Sequence, residues 1–375
     1  MTSLRPAWLE IDLDALAHNV RLHRRAAGPD CRFFAVVKGD GYGVGVVESA
    51  RTALAAGADA LALGNPDEVA TLRQAGVSAP ILLYASSLPE DAAAIADLGV
   101  IPTIHNEASL DALAALGREL DVWVKLDCGV GRLGFLPGAA EAAFRRLAAA
   151  RHLRLGGVYS HFRNPHDESQ LRSQAAIFLS GCAAATGAGF TGFERMVASS
   201  RVVLGAPDLR LTAINPGKAL YGYVDASWPH AIRPVVAALK ARLIQVKDHP
   251  PGVVLYGDDR PLDSPRRTAV VPLGHVDGLN HLPPCGEVLV GGRRAPILSR
   301  RGIEHTVIDV THLPPVAIGD EVVVLGRQGS GSISAAEIAA TMGVAMPELV
   351  ARLARMAPRR YLPVRTRAAL SVAAE

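Results

Sequence analysis

The feature that most constrains this chain is a regular alternation over its first 235 residues. Eight β-rich runs are RFFAVV (32–37), DALALG (59–64), PILLYA (80–85), GVIPTI (99–104), DVWVKLD (121–127), LRLGGVYS (153–160), FERMVAS (193–199) and RLTAIN (210–215). Between them lie helically patterned stretches such as EASLDALAALGREL and GAAEAAFRRLAAA, with Gly or Pro at several ends. Eight strand–helix units is the count that closes a (β/α)8 barrel of TIM type. An open doubly wound sheet is the alternative, and the regularity of eight units favours closure.

The pattern changes at about residue 236. ALKARLIQV, GVVLYG, RTAVVPLG, GEVLVGG, HTVIDVT and DEVVVLG read as strands bounded by turns, without helices between them. The expectation is a barrel over 13–235 and a separate, mostly-β domain over 236–375. Two helical stretches, SAAEIAATMG and PELVARLARM, are expected to close the chain.

With 375 residues, 49% of them apolar and 20% charged, a sizeable core can form. The net charge of +3 comes with no basic run interleaved with aromatics, which argues against nucleic acid or an anionic membrane as partner. No segment approaches a membrane span, and the N-terminus lacks an apolar leader core. The four cysteines, Cys31, Cys128, Cys182 and Cys285, are isolated and predict reduced thiols in a cytoplasmic protein, with no metal site.

Chemistry in a (β/α)8 barrel lies at the C-terminal ends of its strands. Those ends carry Lys38, then Lys125 and Asp127 with Arg132 close by, His161, Ser200, and Asn215 with Gly217. Only five of the 39 basic residues are lysine, so Lys38, ending an apolar run and followed at once by GDGYG, stands out. Polar loops are ordinary at a barrel mouth, and any one of these residues could be only that. Together they point further. A partly desolvated lysine has its ammonium form disfavoured, and the free amine can bond an aldehyde cofactor. The glycines after it are expected to let backbone N–H groups approach a phosphate, with Tyr42 adding a donor. NPGKALYG (215–222) follows the eighth strand, where such barrels often bind phosphate. Lysine plus phosphate cradle predicts pyridoxal 5'-phosphate. GVGRLG (129–134) is a literal GxGxxG after a strand, but no acidic residue follows about 20 positions on, so a dinucleotide site is not expected.

AVVKGDGYGVG, VWVKLDCGVGRLGF, GVYSHF, NPGKALYGY, VLYGDD and VAIGDEVVVLGRQG together resemble the alanine racemase family, pyridoxal phosphate enzymes of fold-type III. The match runs in order over nearly the whole chain. The resemblance implies that Lys38 holds the cofactor covalently and serves as one of two catalytic bases. Tyr42, Ser200 and the backbone around Gly217 would hold the phosphate, beside which Lys218 departs from the family by replacing an apolar residue. His161 would lie against the pyridine ring, and Arg132 would bond the phenolic oxygen. Lys125 matches a position often carbamylated in the family, where it braces that arginine. Tyr256 would be the opposite-face base, reaching the barrel mouth of the other subunit in a head-to-tail homodimer. Residues 1–12 would form a strand that packs with the C-terminal domain. A racemase needs a base on each face of Cα, and Lys38 and Tyr256 supply them.

The chain departs from the family pattern at several positions. Asn215 stands where the family has an arginine facing the ring nitrogen, and Met196 where a histidine supports that arginine. Leu279 and Pro347 stand where the family has gate tyrosines, and Ile303-Glu304 where it has a Met-Asp pair lining the substrate. These changes predict a racemase or epimerase for an amino-acid substrate other than or larger than alanine. The alternatives are a plain alanine racemase, a decarboxylase, aldolase or eliminating lyase on the same cofactor, and a non-catalytic cofactor carrier.

Overall fold

The computed structural model describes residues 4–224, 228, 231–257, 259–298, 300–353 and 357–362. The chain divides into two compact units, one of Leu16–Arg233 and one built from Met1–Ala15 and Pro234–Glu375.

Strand β1 (Ala7–Asp12) belongs to the second unit. The first unit holds β2 (Arg32–Val36), β3 (Ala60–Leu63), β4 (Ile81–Leu83), β5 (Ile101–Ile104), β6 (Leu120–Lys125), β7 (Leu153–Tyr159), β8 (Glu194–Ala198) and β9 (Ala213–Ile214). They pair in parallel, in sequence order, and β9 returns to β2 through Arg32–Ala213 and Phe33–Ile214. The barrel is therefore closed. Its strands coincide with the eight sequence runs to within a few residues at each end.

The barrel interior is filled by side chains, among them Phe34, Val36, Leu82, Trp123, Tyr159 and Met196. Trp123, 1% exposed, fits because its neighbour across the β6–β7 pair is a glycine. A Cβ added to Gly157 would stand 2.5 Å from Trp123 Cε2. The GG of LRLGGVYS is thus a packing device, since interiors leave no room for one extra carbon.

The second unit contains β1, β10 (Val236–Arg242), β11 (Gln245–His249), β12 (Arg266–Val271), β13 (Glu287–Val290), β14 (Arg293–Pro296), β15 (Thr306–Asp309), β16 (Glu321–Gln328), β17 (Gly331–Ile333) and β18 (Arg359–Leu362). Seven of them form a sheet in the order β14-β13-β16-β10-β1-β18, with β17 on β16; β11, β12 and β15 form a second. ALKARLIQV, expected as one strand, is split between the two sheets. Leu243 N–H donates to Asp320 O and Ile244 N–H to Val270 O, so the chain turns a corner between consecutive amides.

GVVLYG does not form a strand; only Val254 bridges, to Pro261. Leu255 is buried while Val254 and Tyr256 are 53% and 65% exposed, so one face of the segment packs without forming a paired strand. The helices Ala335–Met342 and Met346–Leu353 do not end the fold, because β18 follows and pairs in parallel with β1. Its RRYL sequence carries none of the apolar alternation that marks a strand. Among the described residues no helix is long and apolar enough to cross a membrane, and all four cysteines are buried and unbridged.

Candidate active site

A cavity of about 560 Å³ opens at the C-terminal ends of the barrel strands. Lys38, Tyr42, Lys125, Arg132, His161 and Ser200 all line it, together with Asn215, Gly217 and Lys218. Five strand ends thus deliver nine expected site residues to one chamber. No aspartate or glutamate is among the described lining residues.

Lys38 leaves β2 through Val37 and enters a left-handed turn. Gly39, Asp40, Gly41 and Tyr42 all have positive φ, between 53° and 64°. Left-handed backbone costs L-residues about 1–2 kcal/mol each, which explains the two glycines and leaves Asp40 and Tyr42 strained. Gly41 is required for space as well: a Cβ there would collide with Ser49 Oγ. Amides of the turn are taken by the turn itself or by Glu68. Asp40 N–H donates to Glu68 Oε1 at 2.6 Å, and the Gly39 amide also serves that carboxylate. Gly41 N–H donates to Val37 O, and Gly43 and Gly45 donate back to Gly39 O and Asp40 O. The expectation that the GDGYG amides approach a phosphate is therefore overturned, because these N–H groups close the turn and grip Glu68.

Lys38 reaches the cavity with its ammonium form disfavoured. Desolvation lowers its pKa first, and the charges of Arg132 and Lys218 lower it further. His161 stands open to the cavity but walled by protein elsewhere. Desolvation and the surrounding cations push it down to about 4, so its ring is neutral at ordinary pH.

Lys125 ends β6, 7% exposed, its Nζ 4.6 Å from the centre of the Tyr159 ring. Desolvation, then Arg132, lowers its pKa to about 8. The GVGRLG loop begins just beyond it. Asp127 Oδ1 accepts from the amides of Gly129, Val130 and Gly131 at 2.8–3.1 Å, and Oδ2 from Arg132 N–H at 3.0 Å. Burial alone would raise this carboxyl; four backbone donors overcome that and hold it below the usual range. The GxGxxG amides form an anion nest already filled by the chain's own carboxylate.

The turn after β9 differs. Ser200 Oγ accepts from Gly217 N–H at 2.9 Å and Ala219 N–H at 3.2 Å. These two amides and this hydroxyl meet at one buried point, and Tyr42 reaches the same place: a Cβ on Gly217 would collide with Tyr42 Oη. Tyr42 is stacked on Tyr221 at 4.6 Å between ring centres, and its carbonyl accepts from Tyr223 Oη.

Asn215 Nδ2 donates to Tyr84 Oη at 3.1 Å, while its Oδ1 is buried without a partner among the described residues. Met196 is wholly buried in the barrel core. Tyr84 was not singled out in the sequence. It directly follows β4, as the other site residues follow their strands, and that position was the available signal.

Tyr256, Ile303 and Glu304 lie in the second unit. Gly302, beside Ile303, lies close to Tyr256: a Cβ added there would stand 3.5 Å from Tyr256 Cε1. Tyr256 and Ile303 are 65% and 64% exposed. Leu279 is buried in the same unit, and the side chain of Pro347 lies outside the described residues.

The chamber fits a phosphorylated aldehyde. It offers an amine of lowered pKa, a ring-sized space, an unpartnered buried amide oxygen, and a cradle at Gly217 that a single Cβ would fill. Among the described residues no group of three His, Cys, Asp or Glu could hold a metal.

Comparison with known proteins agrees with this chemistry. The model of the alanine racemase N-terminal domain matches residues 11–225, and that of the alanine racemase C-terminal domain matches 236–361. The alanine racemase of Desulfovibrio desulfuricans is 35% identical, over 96% of this chain and 98% of its own. That of Desulfosudis oleivorans is 36% identical, over 95% and 96%. The crystal structure of alanine racemase from Bacillus anthracis with bound L-Ala-P superposes with a TM-score of 0.89 at 30% identity, covering 97% of this chain and 96% of that one.

Proposed function

We propose that this chain, which belongs to the alanine racemase family, interconverts the two enantiomers of alanine in the cytoplasm with pyridoxal 5'-phosphate as cofactor. The observation that carries it is the meeting of Lys38, Arg132, His161 and the Ser200–Gly217 cradle in one chamber, in a chain whose full-length relatives are alanine racemases.

Bound there, the cofactor draws electron density from the substrate Cα and acidifies its C–H bond. The residues of the chain do the rest. Tyr42, Ser200 and the amides of Gly217 and Ala219 would hold the phosphate, and Lys218 adds a cation beside them. Neutral His161 can lie against the ring without contributing charge. Arg132 would bond the phenolic oxygen and face the substrate carboxylate. Lys38, its ammonium form disfavoured by desolvation and neighbouring cations, takes or returns the Cα proton on one face. Tyr256 of a second copy would do so on the other, with Ile303 and Glu304 beside it lining the substrate. That assignment makes the functional unit a homodimer with shared sites. Lys125, with an amine titrating at about 8, is suited to add to carbon dioxide. Nζ bonds the carbon, a proton leaves, and the resulting carbamate sets a negative charge against Arg132.

The expectation of a substrate larger than alanine has no support. The relatives matching 95–96% of the chain carry the alanine racemase name, and Leu279 is buried rather than placed at an opening. Asn215 and Met196 leave the fold and the chamber intact, so they supply no ground for decarboxylation or cleavage.

The test is Cα exchange in heavy water with single enantiomers of alanine and of larger amino acids, followed by chiral analysis. Exchange with inversion, fastest for alanine, is expected. Faster exchange with a larger side chain would overturn the substrate, and release of carbon dioxide or a side-chain fragment would overturn the reaction.

A further inference from the structure

We propose that Glu68 is a positioning residue for Lys38, acting through the left-handed turn that follows it. Glu68 lies in the first turn of the helix Pro66–Gln74, which Asn65 caps by accepting from Asp67 N–H at 3.0 Å. That helix follows β3, the barrel neighbour of β2, so its N-terminus is anchored beside the strand that carries Lys38. The helix dipole favours a carboxylate there. Its Oε1 accepts from Asp40 N–H at 2.6 Å, and the Gly39 amide serves the same carboxylate. These are the two amides directly after Lys38.

The turn needs such a clamp. Five successive residues, Gly39–Gly43, are left-handed, two of them not glycine, and such a run persists only when its surroundings over-determine it. A charged acceptor gripping its first two amides supplies that constraint, because charge-assisted hydrogen bonds are roughly twice as strong as neutral ones. The same turn carries Tyr42 to Gly217. One carboxylate therefore sets the direction of Lys38 Nζ and the reach of Tyr42 Oη. Glu68 also differs from a plain structural cap. Its Oε2 is buried with no partner among the described residues, and burial raises its carboxyl above the usual range, with the backbone hydrogen bonds opposing that rise. Glu68 is not itself among the residues that line the cavity.

The inference rests on the racemase assignment for its kinetic arm, and its spectroscopic arm needs no substrate. The variants are E68A, E68Q, and D67A as a control on the exposed neighbour in the same helical turn. With alanine, E68A should lower kcat about 10- to 100-fold with KM changed less than about 3-fold, because a base displaced by about 1 Å loses that much. E68Q, which keeps an acceptor for Asp40 N–H, should recover most of the loss, and D67A should behave as the parent. The Cα-deuterium isotope effect should rise in one direction of the reaction only, the one in which Lys38 removes the proton. Without substrate, borohydride trapping of pyridoxal 5'-phosphate on Lys38 should be slower in E68A, and the pH midpoint of the visible cofactor band should shift. Isotope effects raised equally in both directions, or trapping and band unchanged in E68A, would overturn the proposal. If the parent protein exchanges no alanine proton, the racemase assignment fails, and the trapping rate alone then decides the role of Glu68.

Discussion

Two turns follow strand ends at the barrel mouth, and only one has room for an anion. GVGRLG, after β6, has the spelling of a phosphate loop, yet Asp127 fills its amide fork from within. NPGK, after β9, has a single glycine, and its amides rest on the neutral hydroxyl of Ser200. A hydroxyl can turn to donate to an incoming oxygen, whereas a carboxylate already holding four amides repels one. The GDGYG turn behaves like GVGRLG, with Glu68 as its filler. Where the amides point, and what already occupies them, locates an anion site; the number of glycines does not.

The contrast can be broken most forcefully at Asp127. D127A leaves four amides without their acceptor and should lower stability by about 2–4 kcal/mol, measured by urea unfolding. Its carboxyl is held below the ordinary range, so its contribution is complete above about pH 4 and lost as pH falls through the lower folded value. D127N should accordingly flatten the acid limb of the stability profile.

A paired alanine scan sharpens the comparison. Gly134 has φ +113°, and an added Cβ would stand 2.7 Å from the Leu126 carbonyl carbon, so G134A should cost about 2–3 kcal/mol of stability. At Gly217 the obstacle is the tip of Tyr42, which can move. G217A should keep the fold and raise the cofactor Kd at least about tenfold, as fits a displaced phosphate donor.

Lys125 offers a smaller effect with a distinctive pH dependence. Its folded pKa of about 8 lies below the usual 10.5, so its burial penalty is full below pH 8 and fades between 8 and 10.5. In carbon dioxide-free buffer K125M should stabilise the protein by about 2 kcal/mol at pH 7 and progressively less above pH 8. Added bicarbonate should narrow that gap if the amine forms a carbamate. The smallest change belongs to S200A, which should cost the cofactor-free protein about 1 kcal/mol and the loaded protein less, because phosphate oxygens then accept from Gly217 and Ala219.

The barrel was legible because buried strands and helices impose periods a reader can count, and Lys38, Lys125, His161 and Asn215 were legible because each sits at or just past a counted strand end. The same logic failed where burial did not follow pattern. GVVLYG alternates, with Leu255 buried between exposed Val254 and Tyr256, yet bridges only at Val254, and RRYL pairs with β1 without alternating at all. Tyr84 occupied a strand end and was passed over because an aromatic after an apolar run looks like core. Glu68 was invisible for a different reason: its partner amide lies 28 positions away in sequence, and only the β2–β3 pairing brings the two together. Asp127 lies within five residues of all four of its donors, so an acidic residue opening a glycine loop is a local signal that the loop fills itself.

The most direct test compares amide hydrogen exchange in the cofactor-free protein with pyridoxine and with pyridoxine 5'-phosphate, resolved to single residues. The difference between the two ligands isolates the phosphate. Added protection at Gly217 and Ala219, with Gly129–Arg132 and Gly39–Asp40 unchanged by the phosphate, is the expected result. Phosphate-dependent protection at Gly129–Arg132 or at Gly39–Asp40, with none at Gly217, would contradict it.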